Sequence, residues 1–304
     1  MADDRLHGAD ADDERVRADD ERVHADAERV RADAERVRAG DDHVAVGSGA
    51  GGADDAHVEA WDAMADGWTT LWAPMAAPAH ALLADRAGVG PGTRALDVGC
   101  GGGQLLAVLA ARGATVAGVD PAPRMVARAR AAVPGADVRR GDAEHLPWPD
   151  AAFDVVVSLN ALDLADDVPA ALAEAVRVTV PGGLVALCGW AEAARNDVAV
   201  LASAVARHAG DGDGLPDQEL RVPGGWERLL VAGGLGVEAT GVVDVPWDLP
   251  DADTLVRALL LGADDDERDD TAPVVLAAAR PFRTAAGGYR LRNAFRWAIG
   301  RRPA

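Results

Sequence analysis

The chain has 304 residues, 50 acidic and 30 basic, for a formal net charge of −20. A surface this acidic is repelled by polyanions, which argues against nucleic-acid partners, and no stretch of about 18 or more apolar residues offers a membrane span. Two cysteines, Cys100 and Cys188, are too few for a disulfide scaffold and fit a reducing cytoplasm. The opening stretch from Met1 to Arg5 lacks the apolar core of a signal peptide, so the expected location is cytoplasmic.

The first fifty residues differ in kind from the rest. Read in sevens from Ala11, ADDERVR is followed by ADDERVH and two copies of ADAERVR, ending at Arg38. Val23, Ala27, Val30, Ala34 and Val37 alternate spacings of four and three, an a/d seam on one helical face. The seam is thin, because the earlier copies place Asp13 and Asp20 at d. Two readings stand, an oligomerising coiled coil and a duplicated low-complexity tail, helical or disordered. The shortage of apolar d positions favours the second and leaves the oligomeric state open. A Gly-rich linker from Gly40 to Asp55 follows. The expected division is therefore a tail and linker over 1–55 and one domain over 56–304.

In that domain Val58, Trp61, Ala65, Trp68 and Trp72 recur at three and four, one face of an amphipathic helix. A second helix is expected from Met75 to Ala87, stopped by the glycines at 88–92. Short apolar runs then alternate with helical stretches. Strands are expected at 94–98, 114–119, 136–139, 153–158 and 184–188, and helices at 105–111, 124–133 and 168–178. This alternation implies parallel strands and right-handed crossovers. Runs apolar at every residue, such as Val155 to Val157, fit strands buried on both faces. The expected fold is a doubly wound, mostly parallel α/β sheet.

Three features sit at consecutive strand ends, where such sheets bind ligands. Gly99, Gly101 and Gly103 follow the first strand and permit a sharp turn with close backbone approach. Asp120 ends the second, 21 residues after Gly99, where a carboxylate can accept two ribose hydroxyls or cap the next helix. Asp142 and Ala143 follow the third, suited to an adenine edge or to an ordinary Asp turn. A dinucleotide fingerprint would place Gly or Ala at position 104, where this chain has Gln104.

The stretch from Leu96 to Trp190 resembles the class I S-adenosylmethionine-dependent methyltransferases, through LDVGCGGG (96–103), GVDPAPRM (118–125), GDAEHLPWPDAAFDVVVS (141–158) and VPGGLVAL (180–187). It is most similar to the small-molecule branch of ubiquinone and menaquinone methyltransferase-like proteins. The resemblance implies a seven-stranded sheet whose last strand is antiparallel, here the alternating stretch Tyr289 to Ile299. It also implies S-adenosyl-L-methionine as cofactor. Asp97 with the Gly99 and Gly101 backbone would hold the methionine moiety, Asp120 the ribose, Met125 the adenine face, Asp142 and Ala143 the adenine edge, and the backbone of Ser158 to Asn160 the methionine end. Two positions depart from the family. Asp163 stands where His is frequent, and Trp61 or Trp68 where Tyr is.

No dedicated catalytic residue is evident and no metal site is expected. Asp163 and His145 are the candidate bases, read more simply as a solvated rim carboxylate and a loop residue beside the adenine site. Cys100 lacks a base partner. The substrate site is expected between the 56–89 cap and the 191–236 insertion, around a core at 90–190. Trp61, Trp68, Trp72, Trp190 and Trp247 either line an apolar pocket or fill the core. Residues 264–270 read as a solvated loop. The preferred function is methyl transfer to a small molecule. The alternatives are an NAD-dependent oxidoreductase, a cofactor-binding relative without catalysis, and a scaffold that recruits through the heptads.

Overall fold

In the computed structural model residues 53–210 and 219–304 are described; the heptads, the linker up to residue 52 and residues 211–218 lie outside that range. The described chain begins with α1 (Ala53–Gly67), which runs into a π-helical turn (Trp68–Trp72), a 3₁₀ turn (Ala73–Ala76) and α2 (Ala77–Arg86). The expected tryptophan face is thus kept, but it passes through a widened turn, a feature frequent at functional sites.

The alternating unit follows as β1 (Arg94–Val98), α3 (Gln104–Ala111), β2 (Thr115–Asp120), α4 (Pro123–Ala132), β3 (Asp137–Arg140), β4 (Phe153–Leu159), α5 (Val168–Val178) and β5 (Thr179–Trp190). Each lies within a few residues of its expected place. β5 is longer than expected: the Pro181-Gly-Gly turn becomes a bulge inside the strand, where the register jumps from Phe153↔Thr179 to Val155↔Leu184. Beyond it come α6 (Asp197–Ala209), α7 (Gly225–Ala232), β6 (Gly236–Asp244), β7 (Trp247–Leu249), α8 (Ala252–Leu259), α9 (Asp265–Ala278), β8 (Tyr289–Leu291) and β9 (Ala294–Arg301).

Seven strands form one sheet in the order β3-β2-β1-β4-β5-β9-β6. β1 to β5 pair in parallel, and β9 runs antiparallel between β5 and β6. Both faces are covered, as the unbroken apolar runs require. Val155 and Val157 pack with Leu105, Leu106 and Leu109 of α3, while Val156 packs with Leu172, Ala175 and Val178 of α5. Truncating a fully buried side chain such as Leu106 to Ala would cost about 2–5 kcal/mol.

The C-terminal third differs from expectation. The alternating stretch 289–299 is not one strand. Tyr289 and Leu291 belong to a separate two-stranded ribbon with β7, and the chain turns through buried Asn293 before entering β9. There the Asn293 side-chain oxygen accepts from the Val198 N–H at 3.1 Å, which fixes the turn. Residues 264–270 are not a loop. The Asp264 side chain accepts from the Glu267 N–H and caps α9, whose first turn is acidic. A carboxylate cluster there suits the positive end of the helix dipole.

Candidate active site

A cavity of about 640 Å³ opens at the carboxyl ends of β1, β2 and β4, within the ~300–1,000 Å³ usual for small-molecule sites. One half is built by the glycine loop. Gly99 has φ +74, and a Cβ there would collide with Ala161. Gly103, at φ +87, caps α3 in the left-handed region and packs against Ala129. Both positions therefore require glycine. Beside Gly101 a Cβ would meet nothing within 4 Å, so the space in front of this backbone is open to a ligand.

Asp120 ties the loop in place. Its carboxylate accepts from the Gly101 N–H at 2.9 Å and the Ala122 N–H at 3.0 Å. It caps the turn before α4 rather than the helix itself, whose N-cap is Ala122. Asp97 is 3 % exposed, lines the cavity and makes no hydrogen bond to a described residue. Burial, with the nearby Asp120 charge second, pushes its carboxyl up to about 8. Burial also raises Asp120, against the two backbone hydrogen bonds that favour its charged form. Asp142, Glu144, Asp166 and Asp167 also line the cavity, with Arg140 as the one guanidinium. This lining favours a cationic ligand.

The other half is aromatic. Trp61 meets Trp68 edge-on at 4.9 Å, Trp68 stacks on Trp72 at 5.6 Å, and Trp72 meets Trp190 at 6.3 Å. Trp190 packs on Phe295 at 4.8 Å. These five rings line the cavity with Met75 and His80. Trp247 is buried behind them, 4.3 Å from Trp72, and its indole N–H donates to Leu71 O at 3.1 Å. The Trp72 N–H in turn donates to Ala258 O of α8 at 2.9 Å. The wall is thus held from behind by the β7–α8 segment.

Residues 96–187 match the methyltransferase-domain family. An uncharacterized protein of Mycobacterium tuberculosis is 40% identical over 118 residues, 38% of this chain and 43% of its own length. The ubiquinone biosynthesis O-methyltransferase of Azorhizobium caulinodans is 42% identical over 97 residues, 31% of this chain and 38% of its own. The chain thus spans less than half the length of these curated relatives. The crystal structure of the YcgJ protein of Bacillus subtilis superposes with a TM-score of 0.54 at 18% identity, over 74% of this chain and 98% of that one.

The matched stretch, residues 96–187, is a methyltransferase domain. On the cavity of this methyltransferase domain lie Asp97, Gly99, Gly101, Asp120, Met125, Asp142, Ala143 and Asn160, the set marked in the sequence except for Ser158. Ser158 is buried and does not line the cavity. Its hydroxyl donates to Val98 O and accepts from the Leu162 N–H, both at 3.0 Å, so it stitches β1 to the turn after β4. The Asn160 N–H donates to Cys188 O at 2.8 Å, and its side-chain Oδ1 is buried without a hydrogen-bond partner among the described residues.

Three other expectations change. Asp163 is not a solvated rim carboxylate: it does not line the cavity, its Oδ1 is buried without a hydrogen-bond partner, and burial raises its pKa. The described part of 191–236 contributes no lining residue, because α6 packs on α9, and α7 on β6 and β9. The wall opposite the glycine loop comes instead from α1, α2, Trp190 and Phe295. Trp61 has its N–H committed to His57 Nε2 at 3.0 Å, so it presents only its ring. His145 is an exposed loop residue beside Asp142 Oδ1 at 3.2 Å, as expected. Burial drives the Cys100 thiol far above its usual range, which removes it as a nucleophile.

His80 and Phe295 were missed. His80 lies on the buried face of α2 with Ala79, Leu83 and Ala84. A histidine interrupting an apolar helical stripe is the signal that marks it. Among the described residues, no group of three or more His, Cys, Asp and Glu is placed to hold a metal, and no helix is long and apolar enough to cross a membrane.

Proposed function

We propose that the protein transfers the methyl group of S-adenosylmethionine to a small-molecule acceptor held in the aromatic half of the cavity. The observation that carries this reading is Asp97: a buried carboxyl facing the cavity with no partner, beside a second buried carboxylate and a glycine loop with open space before it. A cationic ligand supplies the missing counter-charge. An anionic diphosphate, which an NAD site would place at this loop, would meet the Asp120 carboxylate as a like charge and offer no counter-charge to Asp97.

The domain class implies S-adenosylmethionine as methyl donor, and the residues fit it. Asp97 with the Gly99 and Gly101 backbone would hold the charged methionine end, joined by the Asn160 carbonyl. Asp120 would accept the ribose hydroxyls, Asp142 and Ala143 would address the adenine edge, and Met125 would pack on its face. When bound, the cofactor supplies a methyl group already made electrophilic by its sulfonium. The protein's part is to orient the acceptor toward that methyl and exclude water, and orientation alone is worth roughly 7–11 kcal/mol. The stacked wall of Trp68, Trp72 and Trp190 is suited to both tasks. The similarity to a ubiquinone biosynthesis O-methyltransferase supports a small, apolar acceptor.

Calorimetry with S-adenosylmethionine and with NAD tests the reading. S-adenosylmethionine is expected to bind on the order of micromolar, and Asp120→Ala to abolish it. Binding of NAD without S-adenosylmethionine would overturn the proposal.

A further inference from the structure

We propose that His80 is a catalytic residue that accepts the proton of a hydroxyl group on a flat, apolar acceptor lying along the aromatic wall. This rests on the methyl-transfer reading above. His80 is 7 % exposed and lines the cavity. It hydrogen-bonds no described residue. The other described histidines are engaged elsewhere: His57 with Trp61, His145 with Asp142 and His208 with Asp270. A buried imidazole without a partner carries an uncompensated desolvation cost, which an incoming hydroxyl relieves.

Its surroundings select the ligand. The cavity carboxyls, Asp97, Asp120, Asp142, Glu144, Asp166 and Asp167, all come from the 97–167 stretch that builds the glycine-loop side, while the rings of Trp72, Trp190 and Phe295 offer apolar faces and no acceptor. On that side the imidazole is thus the polar acceptor for a planar, otherwise apolar molecule with one O–H. Burial lowers the His80 pKa to about 4, so the ring is neutral and able to accept near pH 7.

The step balances without a co-reactant. A lone pair of the acceptor oxygen forms the new O–C bond, the C–S bond breaks with its electron pair left on sulfur, and the O–H proton passes to the imidazole and then to water. An oxygen undergoing methylation is far more acidic than the starting hydroxyl, so a weak, neutral base is adequate.

The test compares naphthol, un-ionised at the assay pH, with nitronaphthol, already ionised there, using wild type, His80→Gln and His80→Phe. General-base help is worth about 10²–10⁴-fold. Both variants are therefore expected to lose at least about 100-fold in kcat on naphthol and less than about threefold on nitronaphthol, whose proton is already gone. Calorimetric affinity for S-adenosylmethionine should match wild type in both variants, which reports an intact fold and cofactor half. Equal losses on the two acceptors, or no loss on naphthol, would overturn the role of His80 while leaving methyl transfer standing. Wild type that binds S-adenosylmethionine yet methylates neither acceptor would overturn the acceptor class. Wild type that does not bind S-adenosylmethionine would overturn the reading beneath both.

Discussion

The two halves of the cavity are encoded differently. The glycine-loop half is drawn from the ends of β1 and β2 and the turns after β3 and β4, in chain order, and every residue of it lies between positions 97 and 167. The aromatic half is assembled from residues 57–80, Trp190 and Phe295; β9 pairing with β5 brings Phe295 to Trp190, and β7 and α8 hold Leu71 and Trp72 from behind. The first half is charged and built from backbone geometry that only glycine supplies; the second is apolar and built from ring contacts. The lesson is that the half proposed for the cofactor sits in one contiguous motif, whereas the half proposed for the acceptor depends on long-range packing.

This contrast predicts separable effects. The largest is expected in the first half. Asp120→Ala unties Gly101 and, on the proposed reading, removes an acceptor of ribose hydroxyls, and hydrogen bonds to a charged group are worth about 1.5–3 kcal/mol each. Affinity for S-adenosylmethionine should fall by about 100-fold or more in calorimetry, and a fall under tenfold would place the ribose elsewhere. In the second half Trp190→Ala should raise the acceptor KM roughly tenfold, the equivalent of about 1.4 kcal/mol, while cofactor affinity stays within about twofold. Equal damage to both ligands would mean the halves are one unit.

Protonation gives an intermediate effect confined to the first half. Asp97, held up to about 8 in the free protein, binds a proton at pH 7. A cationic ligand favours its carboxylate, so binding below pH 8 releases a proton and affinity rises with pH, by at most about tenfold per unit, levelling above 8. The same calorimetric series on Asp97→Asn cancels titration of the ligand's own amino group and should lack this component. A wild-type profile parallel to that of Asp97→Asn would contradict the assignment. The linked effect on stability has the opposite sign. The folded state holds this proton from the unfolded value near 3.8 up to about 8, so the ligand-free protein loses stability as pH rises through that window. Melting temperatures of Asp97→Asn should lack the slope.

The smallest effect concerns the junction of the halves. Asp66 of α1 pairs with Arg124 and Arg128 of α4, and all three side chains are solvent-accessible. Exposed pairs contribute little. Asp66→Ala should leave the melting temperature unchanged within error in physiological salt, and a clear drop would show that this clamp holds the aromatic half closed.

Most of the sheet was legible because its strands are apolar on both faces and its turns carry glycine, so the pattern does not depend on what packs against it. The loop residues from Asp97 to Ala143 were legible for the same reason. What failed depended on tertiary context. Ser158 lies in the right stretch, yet it is buried and does not line the cavity. Asp163 reads as a surface carboxylate until its surroundings bury it. The acidic run at 264–270 reads as loop unless the cap at Asp264 is recognised. The tryptophans had two equal readings, and only the packed structure separates Trp190, which faces the cavity, from Trp247, which stands behind it. The heptads lie outside the described residues.

Methyl transfer itself is tested most directly by incubating the full chain with S-adenosylmethionine carrying a trideuterated methyl group and a panel of small hydroxyarenes, then following products by mass spectrometry. The account predicts a labelled small molecule in wild type and none in Asp120→Ala. Cofactor binding with no labelled small molecule, or label found instead on protein or nucleic acid, would contradict it.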